Sequence, residues 1–195
     1  MSALKRHIGK PIGEWIAGPA DPVAGSICMA GGTYFEFNNP EGSEINVGDI
    51  AHALSNICRF TGHVREFYSV AQHSVLASYL VPPEHALAAL LHDAAEAYVG
   101  DVSTPLKRML PDYKAIEQRI EAAVLARFGL FLPMHPCIKV ADLRMLAAER
   151  RDLMPHMGDE WHILRGVEPM HATITPWTPI RARRTFLERY LELTK

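Results

Sequence analysis

The chain has 195 residues, 48% of them apolar and 22% charged, the balance of an ordinary globular protein rather than a fibrous or low-complexity one. A chain of this length buries roughly 70% of the surface its unfolded form exposes, so a core needs neither disulfides nor a metal. Twenty Lys and Arg against 22 Asp and Glu give a formal charge of -2, which supplies no global attraction to nucleic acid or to an anionic membrane.

In chain order, MSALKRHIGK runs into Pro11 and Gly13 without the apolar stretch of a signal peptide, and no later segment is long and apolar enough to span a bilayer. Cys28, Cys58 and Cys137 are odd in number, far apart and lack a Cys-x-x-Cys pair, which suits a reducing, cytoplasmic setting. Residues 1–48 are rich in Gly and Pro. Within them Thr33 to Phe37 alternates as a strand, Asn38 to Ser43 reads as a turn, and Glu44 to Val47 returns as a second strand, predicting a small hairpin.

From Asp49, read as an N-cap, the pattern becomes helical, with Ile50, Ala53, Leu54 and Ile57 on one face. A polar bend, Arg59 to Phe67, precedes a helix over Tyr68 to Leu80 that Pro82 and Pro83 stop. Pro83 to Val99 reads as one Ala- and Leu-rich helix closed by Gly100. Further helices are predicted over Pro111 to Phe128, Pro136 to Leu153, with Ile138, Val140, Ala141, Leu143, Leu146 and Ala147 apolar, and Pro179 to Leu193; residues 154–177 lack periodicity. The expectation is a single, mainly α-helical domain over 1–195 with a small N-terminal β-hairpin.

Ten histidines are unusual for this length, and histidine is the commonest metal ligand. The informative segment is LLHDAAEAYVGD, Leu90 to Asp101. An adjacent His and Asp taken alone is more often a structural hydrogen-bonded pair. Inside an apolar helix, however, burying Asp93 beside His92 is costly without compensation, and a divalent cation compensates. Glu96, three residues beyond Asp93, projects beside the same point, where a general base would stand. His73, on the preceding helix, and Asp142, in IKVADLRML, complete a mixed nitrogen and oxygen set that suits a transition metal better than calcium or magnesium.

The series His73, His92-Asp93, Asp142 resembles the H…HD…D signature of HD-domain metal-dependent phosphohydrolases. The string HDAAEAYVGDVSTPLK, His92 to Lys107, is similar to the corresponding stretch of bacterial 5'-deoxynucleotidases and of phage relatives that strip triphosphate from dATP. The resemblance covers about residues 49–153 and implies an HD-type helical bundle whose His73, His92, Asp93 and Asp142 hold one divalent metal, cobalt, manganese or zinc, with magnesium accompanying a nucleotide triphosphate. It implies that Glu96 orients or activates water, that Asp101 meets the deoxyribose 3'-hydroxyl, that Arg59 meets phosphate and Phe60 the base, and that Lys107 and Lys139 flank the phosphate tail. Both lysines would be idle with a monophosphate, which favours a triphosphate; both are also compatible with plain surface charge. His63 is a candidate proton donor to the leaving oxygen. His85 reads as a helix N-terminal surface residue, and His7, His135, His156, His162 and His171 receive no role.

The function expected is therefore hydrolysis of a (deoxy)nucleotide, as a dNTP triphosphohydrolase or a 5'-deoxynucleotidase on dNMPs. The alternatives are hydrolysis of a cyclic nucleotide or alarmone, and a non-catalytic nucleotide sensor. The partner is a small-molecule nucleotide; nucleic acid and membrane are not expected, and a homo-oligomer is an open option, with the basic stretch Arg181 to Tyr190 as a solvated or subunit-contacting face.

Overall fold

The computed structural model describes residues 25–155 and 158–195. The expectations for residues 1–24, with His7, and for His156 lie outside the described residues.

The protein is mainly helical, with a two-stranded antiparallel hairpin before the first described helix. Strand β1, Ser26–Cys28, pairs with β2, Tyr34–Glu36, and Ile27 faces Phe35 across the ladder. The alternation in β2 exposes Tyr34 and Glu36 and buries Phe35 completely. The hairpin thus forms one strand earlier than expected, because Glu44 to Val47 does not return as a strand. Asn46 instead caps helix α1, Val47–Asn56: its Oδ1 accepts the Asp49 N–H at 2.9 Å while its Nδ2 donates to Asp49 Oδ2 at 2.7 Å, a reciprocal cap of the Asn-x-x-Asp kind. Asp49, expected as the cap itself, therefore sits in the first turn, where Oδ1 also accepts the Gly31 N–H and ties hairpin to helix.

The bend after α1 is pinched at its base, where Cys58 bridges Ser69, the Arg59 N–H donates to Tyr68 O at 2.9 Å and the Val70 N–H to Ile57 O at 3.1 Å. Helix α2, Val70–Ala77, starts at a Ser69 cap and is shorter than the expected span from Tyr68 to Leu80. It is buried on every side except at Leu76, the signature of a central helix.

The expected continuous helix from Pro83 to Val99 is divided. A 3-10 turn, Pro83–His85, leads into α3, Ala86–Leu91; residues 92–95 form turns; and α4, Glu96–Val99, is a single helical turn. Through the division the backbone bonds tighten to the i to i-3 pattern, Ala94 N–H to Leu91 O, Glu96 N–H to Asp93 O and Tyr98 N–H to Ala95 O. A short α5, Thr104–Lys107, which has no periodic signal, precedes α6, Pro111–Arg127, α7, Pro136–Leu153, and α8, Pro179–Leu193.

Helix α8 packs on α1, α2 and α3, while α2 also contacts α1, α3 and α7. The main apolar cluster runs from Met29 and Phe35 through Ile50, Leu54, Leu90 and Leu91 to Phe186; a second, around Tyr68, Met145, Leu153 and Ile174, lies between the bend, α7 and the segment after it. On α7 the buried face is Ile138, Ala141, Met145 and Ala148, and Val140, expected in the apolar set, is exposed. Gln72 anchors the irregular segment before α8, donating to Thr175 O and accepting the Trp177 N–H.

Candidate metal centre

Three side chains, His73, His92 and Asp93, meet at one point, and a fourth, Asp142, approaches it on the His73 side. His73 comes from the middle of α2, His92 and Asp93 from the tightened turn after α3, and Asp142 from the second turn of α7. Nε2 of His73 lies 3.4 Å from Nε2 of His92, 3.6 Å from Asp93 Oδ2 and 3.5 Å from Asp142 Oδ1; Nε2 of His92 is 3.3 Å from Asp93 Oδ2. Donor atoms bound at about 2.1 Å to a common ion stand roughly 3.0–3.4 Å apart in octahedral or tetrahedral arrangements, so this spacing is close to that of a ligand set. His73, His92 and Asp93 are one of two groups of donors among the described residues close enough to share an ion.

The orientation of the imidazoles supports the same reading. Nδ1 of His73 meets Glu149 Oε1 at 2.6 Å, and Nδ1 of His92 meets the Ala89 carbonyl at 2.8 Å. An acceptor at each Nδ1 places the proton there and leaves the Nε2 lone pair pointing at the common centre, the arrangement that orients histidine ligands in metal sites. Glu149 was not singled out by sequence reasoning. Its signal is a carboxylate on the core face of α7, four residues after Met145 and two turns after Asp142, where an apolar side chain belongs.

Arg59 is buried between two carboxylates, with Nη1 3.4 Å from Asp93 Oδ2 and Nη2 3.3 Å from Glu149 Oε2. Burial disfavours the guanidinium charge, yet Glu149 and Asp93 more than offset this and hold its pKa above the ordinary value. Glu149 in turn is fully buried and still kept below the usual carboxylate range by Arg59 and His73. Asp142 behaves likewise: burial pushes it up, but His73, His92 and the Lys139 ammonium, 2.6 Å from Oδ2, hold it well below the usual range. Its Oδ1 remains directed at His73.

Glu96 is the opposite case. It is 8% exposed and its Oε2 has no hydrogen-bond partner. Burial, then repulsion from Asp93 and Asp101, pushes its pKa well above the ordinary value, against the smaller pull of Arg59 and Lys107. The tightened backbone explains part of this, because residues three apart eclipse in a 3-10 turn, stacking Glu96 over Asp93. Expecting both on a regular α-helix misplaces that stacking.

A cavity of about 550 Å³ opens over these groups, large enough for a nucleotide-sized ligand. Arg59, Phe60, Asp93, Glu96, Asp101, Lys107, Lys139 and Asp142 all line it. Gly100, at φ 81 and ψ 161, takes a conformation essentially closed to other residues and turns the chain so that half-buried Asp101 faces inward. Phe60 and Thr61 both sit in the left-handed region at φ 57 and φ 54, a local strain that bends the loop over the cavity. Lys107 is held by Glu117 at 2.5 Å, so its cation stands at the rim already partnered.

Not every expected residue comes together here. His63 is exposed and lies outside the cavity lining. Arg108, Leu143, Leu146, Trp161 and Ile163 line the cavity although none was singled out; Trp161 and Ile163 belong to the aperiodic stretch, where sequence carries no phase information. The charges on the wall balance, with Arg59, Lys107, Arg108 and Lys139 against Asp93, Glu96, Asp101 and Asp142. In formal charge the wall alone carries no excess of either sign. A divalent cation on the four ligands would turn it cationic.

Among known proteins, the chain is 47% identical over 165 residues to the uncharacterized protein YfdR of Escherichia coli (strain K12), covering 84% of this chain and 93% of that protein. It is 37% identical over 128 residues to an uncharacterized protein of Rhodobacter capsulatus, covering 58% of this chain and 65% of that one. No protein-family profile matches the chain.

Proposed function

The chain belongs to the family of the Escherichia coli protein YfdR, and we propose that it is an HD-type, metal-dependent phosphohydrolase acting on a (deoxy)nucleotide. The observation that carries this reading is the convergence of His73, His92, Asp93 and Asp142 beneath a cavity that also holds an unpartnered buried carboxylate and a ring of cations. A cavity neutral without metal and cationic with it suits a phosphorylated ligand.

His73, His92, Asp93 and Asp142 would hold the ion, and the mixed donor set fits cobalt, manganese or zinc. Such an ion supplies Lewis-acid polarisation of a phosphoryl oxygen and a more acidic water when bound. Glu96 takes the proton of the attacking water at Oε2, the water oxygen bonds to phosphorus, and the phosphate ester bond breaks, its leaving oxygen taking a proton from solvent water. Arg59, Lys107 and Lys139 spread the charge of the transferring group, which is where most catalysis of phosphoryl transfer resides. Arg108 adds a further cation on the wall for a longer phosphate tail. Asp101 accepts from a sugar hydroxyl, and Phe60 with Trp161, Leu143 and Leu146 forms the apolar wall for the base.

No helix among the described residues is long and apolar enough to cross a membrane. A cytoplasmic location and a free nucleotide as partner belong to the same proposal.

The test is a panel of dNMPs, dNTPs, NTPs and cyclic nucleotides with metal-loaded protein, read by the leaving product. Phosphate or triphosphate release is expected, and Asp93→Ala abolishes both turnover and metal binding at the site of His73, His92, Asp93 and Asp142. Turnover surviving that change, or nucleotide bound without product from any member of the panel, overturns the reading.

A further inference from the structure

The second group of donors lies away from the cavity and is used by nothing described above. His85 closes the 3-10 turn that leads into α3, His135 is the N-cap of α7, and Cys137 stands in the first turn of α7. One donor atom from each, two imidazole nitrogens and the Cys137 sulfur, lie within 4.8 Å of one another. The two rings are stacked, with centroids 4.1 Å apart and planes 13° from parallel. His135 Nδ1 accepts the Cys137 N–H at 3.3 Å, which keeps that ring beside the helix start. His85 and Cys137 are half-buried and His135 is exposed.

We propose that His85, His135 and Cys137 form a second metal site, for a borderline-soft cation of the zinc class, that ties the entry of α3 to the start of α7. The donor chemistry decides the class. Two imidazoles and a thiolate without a carboxylate select zinc or cobalt over magnesium, calcium or manganese, whereas the cavity site mixes imidazole with carboxylate. Bonds of about 2.0–2.3 Å put tetrahedral donors roughly 3.3–3.7 Å apart, so the three need close by at most about 1.5 Å, a movement left to the exposed His135 side chain. On binding, the Cys137 sulfur takes the metal as its proton passes to solvent, and the fourth position is left to water.

The site has a clear mechanical meaning. The segment starting at His85 runs through α3 to His92 and Asp93, and the helix starting at His135 carries Asp142 and Glu149. An ion bound here clamps together the two pieces of chain that supply most of the cavity donors. The inference stands whether or not the protein hydrolyses nucleotides.

Cobalt titration of the full chain tests it without any variant. A sulfur-to-cobalt charge-transfer band in the near ultraviolet is expected, since the cavity site contains no sulfur. The band persists in Asp93→Ala, and in Cys28→Ser and Cys58→Ser, and is lost in Cys137→Ser. Equilibrium dialysis with zinc gives two ions per wild-type chain and one for His85→Ala, and zinc slows alkylation of Cys137 by iodoacetamide by at least about tenfold while exposed Cys28 reacts as before. Absence of the band in wild-type protein at saturating cobalt overturns the site, as does its survival in Cys137→Ser. Loss of turnover in Asp93→Ala with the band intact separates the two sites.

Discussion

Glu149 is the side chain whose removal should be felt furthest. It is fully buried, takes His73 Nδ1 at 2.6 Å and Arg59 Nη2 at 3.3 Å, and touches neither substrate space nor the ion position. Glu149→Gln keeps the shape and removes the charge. His73 then loses the carboxylate that fixes its proton on Nδ1, and changes of this kind behind a histidine ligand weaken metal binding by about 10–100-fold. That corresponds to about 1.4–2.8 kcal/mol. Glu149→Ala is harsher, since it strands a buried guanidinium and an imidazole donor together. Breaking a buried ion pair from one side costs about 3–5 kcal/mol. In a chain of this size each kcal/mol moves Tm by about 2–4 °C, so a fall of about 6–20 °C is expected. Metal affinity is measured by competition with a chromophoric chelator and Tm by calorimetry in chelator. A Glu149→Gln protein that binds metal within twofold of wild type would falsify the orienting role, because the geometry would then owe nothing to the carboxylate.

Further outcomes follow from other groups. Glu96→Gln should lower turnover by about 10²–10⁴-fold with metal stoichiometry unchanged, as loss of a general base requires. Because burial and the flanking carboxylates raise the Glu96 pKa on folding, its ionisation opposes folding. Wild-type stability therefore falls as pH rises above the ordinary 4.5 and through the folded value. Measured in chelator, Glu96→Gln should be more stable than wild type at pH 8 by about 1–3 kcal/mol, with the advantage gone below about pH 4; a constant difference across that range contradicts the argument. Lys139, 68% exposed and bound to Asp142 Oδ2, repels the ion that Asp142 would hold, so Lys139→Ala should tighten metal binding up to about fivefold while raising KM for a triphosphate. Tighter nucleotide binding in that variant contradicts the phosphate role. Thr61→Gly, at an exposed left-handed position, should stabilise the fold by about 0.5–1 kcal/mol, the relief of Cβ strain less the added freedom of the unfolded chain, as read by urea unfolding.

How far the sequence carried these conclusions differs from element to element. The long helices α6, α7 and α8 are legible because Pro stands at the first turn of each, joined by Gly129 after α6 and by apolar spacing in α7 and α8. The approach of His73, His92, Asp93 and Asp142 was legible through the order of the H…HD…D resemblance, since the helical pattern alone leaves the His92-Asp93 pair open to a structural reading. Three features were not. The split between α3 and α4 has no Gly or Pro to announce it, because the backbone tightens rather than stops. Glu149 reads like any surface carboxylate of an Arg-rich helix end until its phase is compared with Met145. Trp161 reaches the cavity from an aperiodic segment pinned by tertiary bonds that sequence does not announce, such as the Ile174 N–H donating to Asp152 Oδ2 at 2.8 Å.

The hairpin acquires a role once α4 is seen to be one turn long. A single turn does not hold its shape unaided in water. Phe35 of β2 is stacked on Tyr98 of α4 with centroids 4.1 Å apart, and Tyr98 is two residues from Glu96. The hairpin is in effect a splint for the turn that carries Glu96, although it contributes none of the four candidate ligands. A fragment trimmed to residues 49–153 would keep all four metal donors and still lose the brace that sets where Glu96 points. A change in hairpin packing would then move the Glu96 carboxylate from outside the cavity, leaving His73, His92, Asp93 and Asp142 untouched.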